Sequence, residues 1–364
     1  MSMNYDEVLA QQVAVGASDV HFKVGRPPLV RIDGKLKQLD IPPVTTEDTE
    51  RMAKQFLSPM MYERFTTRLE ADSSYPLKNV GRFRVNVFRQ RGSISFVLRV
   101  IQNKIPTLAE LGLPPVVEKL LGAQRGLILV TGVTGSGKSS TLAAMVDTIN
   151  ASREAHIITI EDPVEFLHRD RLGSVNQREI GIDTESFSAA FVSSLRQDPD
   201  VIMVGELRDT VTMETALRAA ETGHLVMSTL HTSDAKETIG RIIDLFPPEH
   251  QRQIRIQLSA NLNAVISQRL MSRADGPGRV LASEIMVVNA AIREYILEPA
   301  KMSEIRANME KGRDQYGSQT FDQALLDLLK KGVITEKEAL LNATSPNDLK
   351  LKMTTGGGVD DGWM

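Results

Sequence analysis

No segment constrains this chain as tightly as Gly132-Val133-Thr134-Gly135-Ser136-Gly137-Lys138-Ser139, which fits the pattern GxxxxGK[ST] at every defined position. The flanks give the pattern its meaning: the apolar run GLILVT, Gly126 to Thr131, comes directly before it, and a helix-forming run, Ser140 to Ile149, directly after. A strand, a glycine loop and a helix in that order make a phosphate cradle. Glycines let backbone N–H groups turn inward around phosphate oxygens, and the helix N-terminus adds a favourable dipole. Lys138 is expected to contact the β- and γ-phosphates and the Ser139 hydroxyl to bind Mg²⁺, with the whole segment Gly132 to Ser140 holding ATP.

From Gly126 onward, short apolar runs alternate with helical stretches: GLILVT, HIITIE, VIMV and LVMSTL. Such alternation predicts an α/β fold, a mainly parallel sheet covered by helices. A bound triphosphate also needs a group that orients water and takes its proton. Asp200-Val-Ile-Met-Val-Gly-Glu206 supplies one, four apolar residues delivering Glu206 to a strand tip. Gly205 stands where many P-loop ATPases carry an Asp, so Mg²⁺ needs another acidic contact, for which Glu161 and Asp162 are the candidates. His231 follows the strand LVMSTL and is likewise presented at a strand end, where a histidine serves structure or sensing.

Residues 1–100 read as a small α+β unit, with helices near Tyr5 to Val15, Glu47 to Phe56 and Pro59 to Leu69. An Asp33-Gly34 hairpin turn is expected, and the closing strands are RFRVNVF and SISFVLRVI. Arg82 and Arg84 share one face of their strand, and Arg99 lies opposite in phase to Phe96, Leu98 and Val100. Arg84 and Arg99 pair across the hairpin if its tip centres on Arg91-Gly92, but a one-residue slip prevents it. They are candidates to neutralise phosphate charge; a solvated strand face is the alternative. Residues 101–115, with three prolines, are expected to be a linker or hinge. A nucleotide-binding domain is expected over 116–352, mostly helical from about residue 287, with Thr320 and Gln323 as a capping box, followed by a disordered glycine-rich tail, 353–364.

At 364 residues the chain suits two domains. A net charge of −3 gives no global pull toward nucleic acid. The absence of cysteine removes disulfides and thiolate metal sites. The N-terminus has no leader pattern. No run of about 18 apolar residues is present to span a bilayer.

Leu195-Arg-Gln-Asp-Pro-Asp-Val-Ile-Met-Val-Gly-Glu-Leu-Arg-Asp209 resembles the signature of the ATPases that drive type II secretion and type IV pili. IEDPVEF, from Ile160, resembles their Asp box, and STLHTSDA, from Ser228, their His box. Within that superfamily the chain is most similar to the pilus retraction ATPases, the PilT family. It begins at the small α+β unit and has no cysteines for the zinc insertion of assembly and secretion relatives, so no zinc is expected. Ala291-Ile-Arg-Glu-Tyr-Ile-Leu-Glu298 is similar to the AIRNLIRE motif of retraction ATPases, departing at Glu294, Tyr295 and Leu297.

The resemblance implies a RecA-like core with a PAS-like N-terminal domain and ATP held between the two. It implies a homohexamer in the cytoplasm, peripheral to the inner membrane at the pilus base. An inner-membrane platform protein, and a paralogous pilus ATPase, would be its partners. Mapped onto this chain, it makes Glu206 the catalytic base, His231 the γ-phosphate sensor and Glu161 part of the Asp box, and it favours Arg84 and Arg99 as ATP-facing. An accessory, assembly or type II secretion ATPase is the nearest alternative. A nucleic-acid translocase is more distant, since no basic stripe interleaved with aromatics is present and direct nucleic-acid binding is not expected.

Overall fold

The computed structural model describes residues 4–32, 34–78, 80–101 and 104–354. The chain forms two compact units. The first takes the residues up to Ile105 together with Ile160–His168 and Gln177–Ala190. The second takes Pro106–Thr159, Arg169–Asn176 and the chain from Phe191 onward.

The first unit contains an antiparallel sheet of β1 (Asp19–Lys23), β2 (Leu29–Ile32), β3 (Lys35–Gln38), β4 (Glu70–Leu77), β5 (Gly81–Gln90) and β6 (Ser93–Ile101), in the order β3-β2-β1-β6-β5-β4. Alternation along each strand decides what is buried. Phe83, Val85 and Val87 of β5, Phe96 and Leu98 of β6, and Val20 and Phe22 of β1 join one apolar core with residues of helices Tyr5–Ala14, Thr46–Phe56 and Pro59–Arg68. In that core Phe56 meets Phe96 edge-on at 5.8 Å and Tyr5 at 6.3 Å. Such pairs add about 0.5–1.5 kcal/mol beyond the area they bury. Asp48 closes a capping box with Thr45 at the start of the second helix and accepts the Tyr5 hydroxyl at 2.8 Å.

The strands and helices expected in this unit are present. Asp33 of the expected turn lies outside the described residues, although Ile32 stands opposite Lys35 as a two-residue hairpin requires. The register left open between β5 and β6 is now fixed. Arg91 and Gly92 turn the chain with φ of 49° and 78°, and Arg84 stands opposite Arg99. Strand β4, with its polar sequence EADSSYPL, was not expected; it pairs along β5 from Glu70 opposite Phe88 to Leu77 opposite Gly81.

The remaining strands are β7 (Gly126–Thr131), β8 (His156–Glu161), β9 (Ser174–Glu179), β10 (Val201–Val204), β11 (Leu225–Leu230), β12 (Leu262–Ser272) and β13 (Arg279–Val287), in the order β13-β12-β7-β11-β10-β8-β9. Neighbours from β12 through β7 and β11 to β10 run parallel, and β13 runs antiparallel to β12. The four expected runs are β7, β8, β10 and β11, and every residue of β7, β10 and β11 is buried. Strands β9, β12 and β13 were not expected. Helix Pro248–Asn261 passes directly into β12 at Leu262, so no turn residue marks the change.

Some expected boundaries are corrected. From Pro106 the supposed linker 101–115 belongs to the second unit, whose core buries Leu108 and Leu113; Gln102 and Asn103 lie outside the described residues. The expected 116–352 domain gives up Ile160–His168 and Gln177–Ala190 to the first unit. Met353 and Thr354 belong to helix Pro346–Thr354 rather than to a tail, and residues 355–364 lie outside the described residues.

A buried carboxylate ties the helical C-terminal part to the sheet. Glu284 of β13 is 6% exposed and accepts the Ala235 backbone N–H, at the start of helix Ala235–Asp244, at 2.9 Å. Burial pushes its pKa up to about 7, against the Ala235 and Phe321 amides and the Arg269 guanidinium, which favour the charged form. The folded value lies above the ordinary value of 4.5, so the folded state binds more protons. Its stabilising contribution is therefore full below the ordinary value and lost as pH rises through 7. Replacing the group with a neutral amide, Glu284→Gln, is expected to flatten the decline of thermal stability between pH 4.5 and about 7. The effect is on the order of 1–3 kcal/mol. Melting curves across that window check it; an unchanged slope refutes it.

Candidate active site

The second unit brings together the phosphate loop, Glu206 and His231. The loop leaves β7 at Gly132, and helix Lys138–Ser152 begins behind Gly137 with no side chain capping its first amides. Those uncapped N–H groups are the anion-binding feature of the motif. Gly132 could be no other residue. Its φ is 142°, and a Cβ there would stand 2.5 Å from the Ser136 hydroxyl and 2.6 Å from the Gln268 carbonyl oxygen. Gly137, at φ 97°, opens the helix in the left-handed region. Val133, Thr134, Gly135 and Ser139 are exposed, Gly137 and Ser140 are half-buried, and Ser136 and Lys138 are buried.

Lys138 is folded back on the loop. Its Nζ donates to the carbonyls of Gly132 at 2.7 Å and Val133 at 3.1 Å. Burial lowers its pKa, opposed by the charge of Glu206. The ammonium thus lies within the field of the candidate base while being held by the loop that would wrap the phosphates.

Glu206 follows the tip of β10, and two side chains of β11 fix that tip. The Ser228 hydroxyl donates to the Val204 carbonyl at 2.6 Å and the Thr229 hydroxyl to the Gly205 carbonyl at 2.7 Å. The same strand β11 leads into His231, so Glu206 and His231 are held by one set of bonds. The Glu206 carboxylate lies 2.8 Å from the Arg208 guanidinium through Oε2 and 3.2 Å from His231 Nε2 through Oε1. Glu206 keeps 18% of its side chain exposed and His231 45%. Both line an open cleft of about 320 Å³ with Arg208, Glu237 and Arg241.

The other predicted residues belong to the first unit. Arg84 Nε lies 3.9 Å from Asp72, and Arg99 Nε donates to Asp19 at 2.9 Å; both arginines are well exposed. Burial would raise the Asp19 pKa, but the hydrogen bonds from Ser18 and Arg99 outweigh it and hold it below the usual range. Glu161 ends β8, and Asp162 follows it. Among the described residues no group of three or more His, Asp or Glu could hold a metal by itself.

Residues missed by sequence reasoning surround the loop. Gln268, 1% exposed on β12, donates through Nε2 to the Thr141 hydroxyl at 2.6 Å while its own carbonyl backs Gly132. Beside it, Ser267 accepts the Thr131 hydroxyl at 2.8 Å. The available signal was Ser267-Gln268, a polar pair inside the apolar run of β12. The cradle's tolerance is testable. Gly132→Ala is expected to destabilise the protein by about 1–3 kcal/mol through the forced backbone alone. It should also weaken binding of a fluorescent ATP analogue, which titration and thermal melting measure.

The family model for type II/IV secretion system proteins matches residues 3–341. The chain is similar to the type IV pilus retraction ATPase PilT of Pseudomonas aeruginosa, 43% identical over 95% of this chain and 100% of that protein. It is 38% identical to the type IV pilus ATPase PilU of the same species, over 98% of this chain and 93% of that one. Its fold matches a crystal structure of the pilus retraction motor PilT with bound ADP, TM-score 0.89 and 46% identity, covering 96% of this chain and 99% of that one. These matches run through the loop, strand tip and histidine just described. The chain therefore belongs to the type II/IV secretion system protein family of ATPases.

Proposed function

We propose that this chain is the ATP-hydrolysing motor subunit of type IV pilus retraction. The observation that carries this is Glu206, fixed at a strand tip between Arg208 and His231 in the unit that holds the phosphate loop. Glu206 takes the proton of the attacking water, His231 reads the γ-phosphate, and Lys138 exchanges the Gly132 and Val133 carbonyls for phosphate oxygens. Mg²⁺ supplies charge neutralisation on the phosphates when bound. Ser139 and, through water, Glu161 and Asp162 would hold it. Their hard oxygen donors suit an ion that shares its coordination with phosphates and needs only one or two protein groups.

Arg84 and Arg99 neutralise charge on the transferring phosphoryl group. Their support is the register that sets them opposite each other on an exposed strand face. Asp72 holds Arg84 weakly, since an exposed ion pair is worth about 0–1 kcal/mol, so phosphate can displace it; Asp19, the partner of Arg99, is only 9% exposed and holds its arginine more firmly.

The specific assignment to retraction draws on the relatives. The chain is 43% identical to PilT of P. aeruginosa over 95% of its residues, against 35% over 74% for the type IV pilus assembly ATPase PilB of Acinetobacter baylyi. A homohexamer on the cytoplasmic side of the pilus base, working on an inner-membrane platform protein, is the assembly this assignment carries. No helix among the described residues is long and apolar enough to cross a membrane. An accessory role beside a second pilus ATPase is the other assignment with support, from the likeness to PilU and from the departures at Glu294, Tyr295 and Leu297.

Glu206→Gln is expected to bind ATP near wild-type affinity and to lose turnover by about 100-fold or more. Phosphate release and analogue titration measure the two, and unchanged turnover removes Glu206 as the base. Deleting the gene is expected to leave cells that extend pili without retracting them; undiminished retraction would point to the accessory role.

A further inference from the structure

Strand β9 carries a polar cluster that neither the phosphate loop nor Glu206 uses. Gln177 and Glu179, two residues apart, share one face of it. Glu179 is 2% exposed yet fully bonded. Its Oε2 accepts from the Arg82 guanidinium at 2.5 Å and from the Val164 backbone N–H at 3.0 Å, and its Oε1 accepts the Ser74 hydroxyl at 2.6 Å. Gln177 is bonded just as fully. Its Nε2 donates to Glu161 Oε1 at 3.0 Å and to the Phe166 carbonyl at 2.8 Å, and its Oε1 accepts the His168 backbone N–H at 2.8 Å. The backbone around it fixes the orientation of this amide. The His168 N–H needs an acceptor and the Phe166 carbonyl a donor, so the NH₂ must face Glu161. The Ile180 N–H donates to the Glu161 carbonyl at 2.9 Å, so both ends of Glu161 are held. All these residues belong to the first unit, together with Arg84 and Arg99.

We propose that Gln177 and Glu179 are positioning residues of the ATPase site. Gln177 aims the Glu161 carboxylate, and Glu179, neutralised by Arg82, anchors the backbone next to Asp162 and Pro163. The acidic pair is thereby presented in one geometry by the body that carries the arginines. This rests on the assignment of Glu161 and Asp162 to Mg²⁺ made above. Partners that orient a metal-binding carboxylate from behind change metal affinity by roughly 10–100-fold when removed.

The test uses the full chain bound to a non-hydrolysable ATP analogue, with Mn²⁺ as a paramagnetic probe read by electron spin resonance. Gln177→Met keeps the volume and deletes all three hydrogen bonds. It is expected to weaken Mn²⁺ binding by roughly tenfold, with ATP-analogue affinity in EDTA at the wild-type value and a lower melting temperature from the unpaired Phe166 carbonyl and His168 N–H. A purely structural role would lower the melting temperature and leave Mn²⁺ binding unchanged. Glu179→Gln keeps an acceptor for Val164 but removes the charge facing Arg82, and should weaken Mn²⁺ in the same direction. If Glu179→Gln does not fold, Gln177→Met decides alone. Glu161→Gln is the reference. If it weakens Mn²⁺ while Gln177→Met does not, the positioning role is overturned. If Glu161→Gln itself binds Mn²⁺ as the wild type does, the metal assignment fails and the positioning role falls with it.

Discussion

A triphosphate can be gripped by backbone amides only where no side chain stands between them and the oxygens, and that requirement sets the architecture of the second unit. Gly132 leaves β7 pressed against the Gln268 carbonyl and the Ser136 hydroxyl, so close that a single methyl group would collide with both. The loop therefore has one course. Its direction is fixed from behind, because β7 lies between parallel neighbours β12 and β11, with all of its own residues buried. Helix Lys138–Ser152, which receives the loop, buries Leu142, Met145, Val146 and Ile149 in the same core. The cradle is thus an outgrowth of packing: apolar burial fixes strand and helix, and these fix the amides.

Glu206, the candidate base, obeys the same logic by different bonds. Strand β10 is only four residues long, too short to define its own tip, and hydroxyls from the adjacent strand define it instead. Ser228 and Thr229 belong to the run that delivers His231, so Glu206 and His231 share one support. Arg208, two-thirds exposed, adds little to folding as an ion pair. Its consequence is geometric, since it and His231 occupy separate oxygens of Glu206 and select one rotamer.

What the sequence disclosed follows from how local each signal is. The strands β7, β8, β10 and β11 are short apolar runs bounded by turn residues, and the phosphate loop is a contiguous motif. Glu206 and His231 are legible for the same reason, each standing at the end of such a run. Strand β12 was hidden because it continues a helix without a break, and β4 and β9 because their side chains are largely polar. Gln268 and Glu179 escaped because their partners lie far away in the chain: Thr141 is 127 positions from Gln268, and Arg82 is 97 from Glu179. No window of sequence holds both members of either pair.

The division of the chain into bodies was the least legible property, and Arg82 shows why. Period two places Arg82 and Arg84 on one strand face, where they look equivalent. Burial separates them. Arg82 is 16% exposed and faces a carboxylate that is 2% exposed, whereas Arg84 is 43% exposed with a partner at 3.9 Å. Removing one member of a buried pair costs about 3–5 kcal/mol, while an exposed pair is worth about 0–1 kcal/mol. Burial therefore commits Arg82 to Glu179, whereas the exposed Arg84 is held only weakly by Asp72. The committed pair bonds Gln177–Ala190 to β5, and both Ile160–His168 and Gln177–Ala190 belong to the N-terminal body although its leading stretch ends at Ile105. An arginine locked to its partner and an arginine open to others can thus sit two residues apart on one strand, distinguished by what covers them.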